Sequence, residues 1–380
     1  IAEINNTLFK KNRFTCVSRC RRFGKSMAAE MLCAYYDRSC DSRSLFKGLE
    51  IERHPSFEKH LNKYSVIYVD MTDFITVYGR DENIVEQIQF KLIKDIKKAY
   101  PQVELEESAS LMDVLFEITD STGDTFFMII DEWDAICREF KSHSKAMDDY
   151  VNLLRRMFKS EKGQRVFAGV YMTGIFPIAK QDTESSLNNF LEYSMTQPEP
   201  LARYFGFTKA EVQSLCEKHN MPFEDMKKWY DGYIIGNEPS MFNPSSVMKA
   251  ILKRNCESYW PATGSFDKVS RYIQLNYEGL KEDVVSMLAG AACKVNATSF
   301  SNNVADIRNK NDVFTTLIHL GYLAYNKKDS TCFVPNYEVN TELRNAIENC
   351  HWKEVMNAIK ASDQLLDDLL YKDSDAVARG

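Results

Sequence analysis

Four short apolar runs punctuate the first 175 residues: FTCV at 14–17, SVIYVDM at 65–71, FFMII at 126–130 and VFAGVYM at 166–172. Each is nearly continuous in hydrophobicity and rich in β-branched or aromatic residues, the pattern of a strand covered on both faces. Helical patterns lie between them: KSMAAEMLCAYY after the first run, NIVEQIQFKLIKDIKKAY from 83, SLMDVLFEI from 110 and KAMDDYVNLLRRMF from 145. Strand and helix in alternation leave few architectures open. The pattern predicts an α/β domain with a doubly wound parallel sheet and right-handed crossovers.

At 380 residues the chain exceeds what one hydrophobic core usually organises, so two or three domains are expected. After about residue 190 the character changes to helices with few strand candidates. Thr208 and Glu211 have capping-box spacing ahead of VQSLCEKH, and Pro222 opens a short helix before WYDGY at 229–233. NDVFTTLIHLGYLAYNKKDSTCFVPN, from 311, reads as a helix started by Asn311 or Asp312 and stopped near Gly321, then YLAY and TCFV around a polar KKDS turn. Helix then hairpin predicts a winged-helix-like unit; the alternative is an incidental α+β cap on the first domain. Beyond about 341 the chain reads as helical and acidic.

Charge and composition narrow the function. The 48 basic and 54 acidic residues give a net charge of -6, which argues against wholesale electrostatic capture of nucleic acid or anionic membrane. No stretch approaches 18 consecutive apolar residues and the first 20 lack a signal-peptide core, so membrane insertion and secretion are disfavoured and a cytoplasmic location is expected. The ten cysteines and six histidines are scattered, without zinc-site spacing. Reduced, packed thiols are expected rather than metal chemistry by side chains alone.

The chemistry concentrates in SRCRRFGKSM at 18–27, directly after the first apolar run. A phosphate-binding loop, G-x-x-x-x-G-K-[ST], turns backbone N–H groups inward at phosphate oxygens, its lysine reaches the β and γ phosphates, and its hydroxyl binds magnesium. Gly24, Lys25 and Ser26 supply the second half, whereas Arg19 stands at the first glycine position. The tripeptide alone is common. A preceding strand and a helix opening at the lysine give it the required context, and Arg19, Arg21 and Arg22 add positive charge, or else form a solvated basic turn. A non-glycine residue is tolerated at 19 if its backbone avoids positive φ.

FFMIIDEWDAI at 126–136 ends an apolar strand in Asp131 and Glu132, a Walker B pattern with its acids at the carboxyl edge, where ligands of open α/β sheets bind. Asp131 would hold magnesium and Glu132 would polarise the attacking water. The alternative is an acidic pair that merely ends a strand and caps the next helix. VFAGVYM ends in Thr173 and Gly174; in P-loop ATPases with an extra central strand, a polar residue there can sense the γ-phosphate. Asp70, at the end of SVIYVD, reads more simply as a turn cap.

Together these residues resemble a bacterial family of AAA-ATPase-like proteins, often encoded with a PD-(D/E)XK nuclease domain at the carboxyl end. The matching stretches are SRCRRFGKSMAAEML, LFKGLEI, FFMIIDEWDAI, FAGVYMTGIFPIAK, FGFTKAEVQSLCEKH, KKWYDGY, NPSSVMKAI, SYWPATGS and LIHLGYLAY, across roughly residues 5–345. The family's loop is typically R-P-R-R-F-G-K-S, so Arg19 is a family trait; Cys20 replaces the usual proline, which loosens the turn. The resemblance implies a P-loop NTPase domain over 1–195, a helical and winged-helix-like lid domain over 196–345, and a helical segment over 346–380 that begins a linker to a missing nuclease domain. It implies ATP and Mg2+ as cofactors: nucleotide contacts from Arg19, Arg21, Arg22, Phe23, Gly24, Lys25, Ser26, Met27 and Thr173, metal contacts from Ser26 and Asp131, catalysis by Asp131 and Glu132. A further segment near the adenine side, which family members usually carry first, is not found, nor is a nuclease triad beyond 345. A fragment or shortened member is therefore expected, one that does not cut DNA by itself.

The leading expectation is a Mg-dependent ATPase acting as a nucleotide switch, of the kind associated with PD-(D/E)XK nucleases, with a protein partner or a second copy and nucleic acid only through that nuclease. The alternative is a non-hydrolysing nucleotide-binding or protein/DNA interaction module. Glu132 separates them, since binding alone does not need it. Direct DNA binding is disfavoured because VFTTLIHLGYLAYNKKD carries only Lys327 and Lys328 as basic residues. Arg155, Arg156 and Arg165 fit no unique spacing for an arginine finger.

Overall fold

The computed structural model describes residues 1–140, 144–178, 187–260, 277, 279–298, 300 and 307–349. Two compact units emerge: Ile1–Arg19 with Gly24–Gln197, and Cys20–Phe23 with Pro198–Phe300 and the chain from Ile307.

The four apolar runs become β1 (Phe14–Ser18), β2 (Ser65–Asp70), β3 (Phe126–Asp131) and β4 (Phe167–Gly174). All are parallel, in the order β2-β3-β4-β1-β5. β5 (Phe190–Tyr193) is a fifth strand the sequence pattern does not announce. It is a four-residue edge strand with only Phe190 fully buried, so it lacks the continuous apolar signature of its neighbours.

The sheet is covered on both faces because its side chains alternate. Phe126, Met128 and Ile130 face a core shared with α3 (Ile84–Ala99), α4 (Leu111–Thr122) and α6 (Lys145–Lys159). Phe127 points the other way and stacks on Tyr36 of α1 (Lys25–Tyr36), ring centroids 4.1 Å apart. This is the doubly wound α/β fold of a P-loop NTPase, with β4 between β1 and β3. α2 (Met71–Tyr78) follows β2 directly: Asp70 caps it, accepting from the backbone N–H groups of Thr72 and Asp73, so that aspartate is engaged as a turn cap.

In the second unit α7 (Lys209–His219) starts with the expected capping box between Thr208 and Glu211. α8 (Phe223–Tyr230) and α9 (Pro244–Lys253) pack with it around Val212, Met226, Tyr230, Phe242 and Val247. The few strand candidates seen in sequence understate this region. β6 (Phe207–Thr208), β7 (Tyr233–Ile235) and β8 (Glu238–Phe242) form an antiparallel sheet in the order β6-β8-β7. The central β8 contains Pro239, tolerated because the ladder shifts register between Tyr233 and Ile235. Farther on come α10 (Leu280–Leu288), β9 (Cys293–Lys294), α11 (Lys310–Leu320), the hairpin β10 (Ala324–Asn326) and β11 (Thr331–Phe333), and α12 (Tyr337–Asn349). β9 pairs with β11, giving the order β10-β11-β9. The cap of α11 is Asn309, whose side chain accepts from the Asp312 N–H, two or three residues ahead of the start read from sequence, and Gly321 ends the helix in the left-handed region. Residues 350–380, read as helical, lie outside the described residues. Among the described residues no helix is long and apolar enough to cross a membrane.

Candidate functional site at the carboxyl ends of strands β1, β3 and β4

Because β4 separates β1 from β3, the loop after β1 and the acids after β3 stand two strand spacings apart, about 10 Å. A lysine and a glutamate reaching toward each other span that gap. Lys25, the first residue of α1, is 4% exposed, and its Nζ lies 3.8 Å from Glu132 Oε1. Ser26 follows it, and its hydroxyl acts on the Asp131 carboxyl. Tyr68 of β2 donates to Asp131 Oδ2, at 3.3 Å. Burial pushes the Asp131 carboxyl up from its usual range, and the Ser26 hydroxyl opposes that. Burial likewise raises Glu132, against the pull of Lys25 and Arg138.

Backbone conformation explains two of the residue choices. Gly24 caps α1 at φ +84°, and nothing lies within 4 Å of where its Cβ would stand. Conformation, then, and not space, calls for glycine. Arg19 is absent from the positive-φ residues, so the first glycine position of the loop does not need one. Arg22 (φ +71°) and Glu132 (φ +51°) do adopt the left-handed region, a strained conformation for side chains that concentrates at functional sites.

The sequence grouped eight consecutive loop positions apart from Cys20, and the structure divides them. Lys25, Ser26, Asp131 and Glu132 come together. Arg19 does not join them as a displayed charge: its side chain is fully buried and Nη1 donates to the carbonyls of Ser18 at 3.0 Å and Tyr193 at 2.9 Å. Arg22 donates to the Tyr259 carbonyl at 2.7 Å. Phe23 is buried edge-on against Tyr233, centroids 5.0 Å apart, and Cys20 is buried against Gly321. Cys20–Phe23 thus belong to the packing of the second unit, and packing supplies the rigidity that proline would. Arg21 is half-buried and Met27 is 71% exposed on α1. Thr173 is the penultimate residue of β4, beside Val17 of β1; its carbonyl accepts from Trp133 N, while its fully buried Oγ1 has no hydrogen-bond partner among the described residues.

Two residues the sequence did not single out complete the cluster. Arg138, on α5 (Ala135–Glu139), donates to Glu132 Oε2 at 2.5 Å and pairs through Nε with Asp134 Oδ2 at 3.1 Å. Asp134 in turn accepts from the backbone N–H groups of Ile175 and Phe176. The four-residue helical spacing of Asp134 and Arg138 was the available signal.

A parallel sheet with helices on both faces, a lysine and serine at a helix start after β1, and an acidic pair after β3 define a nucleotide-binding P-loop ATPase fold. Residues 3–184 match the model of the AAA-ATPase-like family, described as predicted AAA-ATPase. No curated protein sequence matches it. Among solved structures it is similar to the ORC2 protein of Aeropyrum pernix in ADPNP–ADP complexes (11% identity, TM-score 0.39, 89% of this chain and 88% of that one). It is also similar to Cdc6p from Pyrobaculum aerophilum (10%, 0.33, 93% and 92%), and to Aeropyrum pernix ORC1 in complex with DNA (12%, 0.31, 90% and 87%). All three likenesses are distant.

Proposed function

We propose that the first unit binds ATP at the loop entering α1 and hydrolyses it with Mg2+. The observation that carries this reading is the approach of Lys25 to Glu132, which joins the loop after β1 to the acids after β3, with the Ser26 hydroxyl acting on Asp131 beside it. Lys25 would bind the β and γ phosphates, and the N–H groups of the first turn of α1 would face them. Mg2+ fits the donors: a hydroxyl and a desolvated carboxylate are the hard oxygen ligands it takes, and it needs only one or two of them alongside phosphates and water. Ser26 and Asp131 would hold it. Bound there, the ion would neutralise charge on the phosphate oxygens during transfer.

Glu132 would orient and polarise the attacking water, and Thr173, whose buried hydroxyl lacks a partner among the described residues, would donate to a γ-phosphate oxygen. Gly24 and Met27 would shape the loop mouth. The switch reading goes further: γ-phosphate contacts at Lys25 and Thr173 would change the order of the second unit. It is supported by chain continuity, since Phe23 of the second unit is bonded to Gly24 of the first. Helix α11, its hairpin and β9 beside β11 support a winged-helix reading of that unit. The link to a PD-(D/E)XK nuclease, and with it any nucleic acid, comes from the resemblance.

Steady-state phosphate release from Mg-ATP, by the wild type beside Lys25→Ala, tests the hydrolysis. Turnover should fall to background in the variant. Equal rates in both would leave a binding module at most.

A further inference from the structure

Lys25 has two tasks that conflict. In the protein as it stands it is a counter-ion of Glu132, and in the ATPase reading it serves the phosphates. A lysine drawn to phosphate leaves a carboxylate that is 21% exposed without that cation, which a low-dielectric site penalises heavily. Something must answer the charge that Lys25 abandons.

We propose that Arg138 is a positioning residue whose guanidinium is the standing counter-ion of Glu132, so that Lys25 is released to the phosphates without stranding a buried carboxylate. The two cations address different oxygens: Lys25 reaches Oε1 at 3.8 Å and Arg138 holds Oε2 at 2.5 Å. The lysine's contact is the looser and can open alone. Arg138 is fixed from its other side: its Nε meets Asp134 at 3.1 Å, and Asp134, 2% exposed, accepts from the N–H groups of Ile175 at 3.3 Å and Phe176 at 3.0 Å. The order Lys25, Glu132, Arg138, Asp134 alternates in charge and ends on backbone donors just beyond β4. Glu132, held at one oxygen, keeps the other for water once Lys25 departs. Arg138 is itself only 9% exposed, so it is a poor candidate for reaching a neighbouring molecule. A planar, permanently charged fork suits this double engagement better than lysine.

The inference rests on the ATPase reading, and a double-mutant cycle read by binding separates the two. Affinity for Mg2+ with a slowly hydrolysed ATP analogue is measured by calorimetry for the wild type, Arg138→Gln, Glu132→Gln and the double variant. Arg138→Gln should weaken binding about tenfold or more, as loss of a supporting partner does elsewhere. In the Glu132→Gln background the same change should cost little, because no charge is left to strand. A merely structural arginine would cost the same in both backgrounds, and that result, or no loss in either, overturns the inference while leaving the ATPase reading intact. Wild type that binds no nucleotide overturns both. Should Arg138→Gln not fold, Arg138→Lys runs the same cycle: it should show a smaller loss, still dependent on Glu132, and a loss independent of Glu132 counts against the proposal.

Discussion

Glu132 in the first unit and Glu338 in the second are both carboxylates drawn out of water, and they are satisfied in opposite ways. Glu132 is held between two cations, Lys25 and Arg138. Glu338, fully buried in the first turn of α12, is hydrogen-bonded by neutral donors: the Ser246 hydroxyl at 2.9 and 3.0 Å and the Tyr259 N–H at 2.7 Å. Cations beside a carboxylate favour its charged form. One held by neutral donors keeps more of the burial penalty on its charge, and that penalty favours the proton. Burial pushes Glu338 up to about 7, with Tyr259, Ser246 and the charge of Arg22 pulling it down and Glu342 pushing it up. The first arrangement suits chemistry, the second a structural joint.

The contrast breaks most visibly at Glu132. Replacing it with Gln keeps the shape and removes the charge that polarises water, so single-turnover hydrolysis should slow by about a hundred- to a thousandfold, the cost of one preorganised electrostatic group. Nucleotide affinity should hold. Wild-type rates in Glu132→Gln would make this glutamate as structural as Glu338.

Glu338 sharpens the other side. Its folded carboxyl titrates near 7 against a reference of 4.5, so the folded state holds the extra proton between those values. Stability from this group is therefore greatest below about 4.5, falls as pH rises through 7, and is level beyond. At about 1.4 kcal/mol per unit the change is at most about 3 kcal/mol. Glu338→Gln, uncharged throughout, should lack that slope. Urea unfolding of wild type and variant at pH 5 and pH 8 measures it, and parallel behaviour of the two proteins would mean that a cation answers Glu338 after all.

The same contrast marks what the sequence could tell. Asp131 and Glu132 were legible because a fully buried parallel strand is a continuous apolar run, and acids at its end have little reason to be there except chemistry or capping. Gly24, Lys25 and Ser26 were legible because phosphate loops impose spacing on the chain. Arg138 was not: six residues past Glu132, it meets that residue only because the backbone turns through positive φ at 132 before α5 begins. Arg19 looked like a displayed charge, and no local pattern announces that two carbonyls of its own unit, from Ser18 and Tyr193, enclose it. In the second unit the YLAY and TCFV hairpin was legible, whereas β6, β7, β8 and β9 escaped notice because their pairing is set by partners distant in sequence, as Phe207 with Phe242, and Pro239 disguised the central strand β8. Glu338 gave no sign, since one glutamate in an acidic helix looks solvated until the fold buries it.

Thr173 is the smallest of the three tests and the one in which stability and function should part. Its hydroxyl is completely buried near the end of β4 without a hydrogen-bond partner among the described residues, and a buried donor left unmade costs about 1–3 kcal/mol. Thr173→Val keeps the shape and deletes that donor. Thermal or urea unfolding should therefore find the variant as stable as wild type, or more so by about 1 kcal/mol. Turnover of Mg-ATP should drop about tenfold, the low end of what losing one preorganised donor costs, because the hydroxyl is satisfied only when a γ-phosphate oxygen accepts from it. Unchanged turnover with raised stability would make Thr173 a strand residue chosen for its branched shape, and phosphate sensing would then have to be sought at another residue.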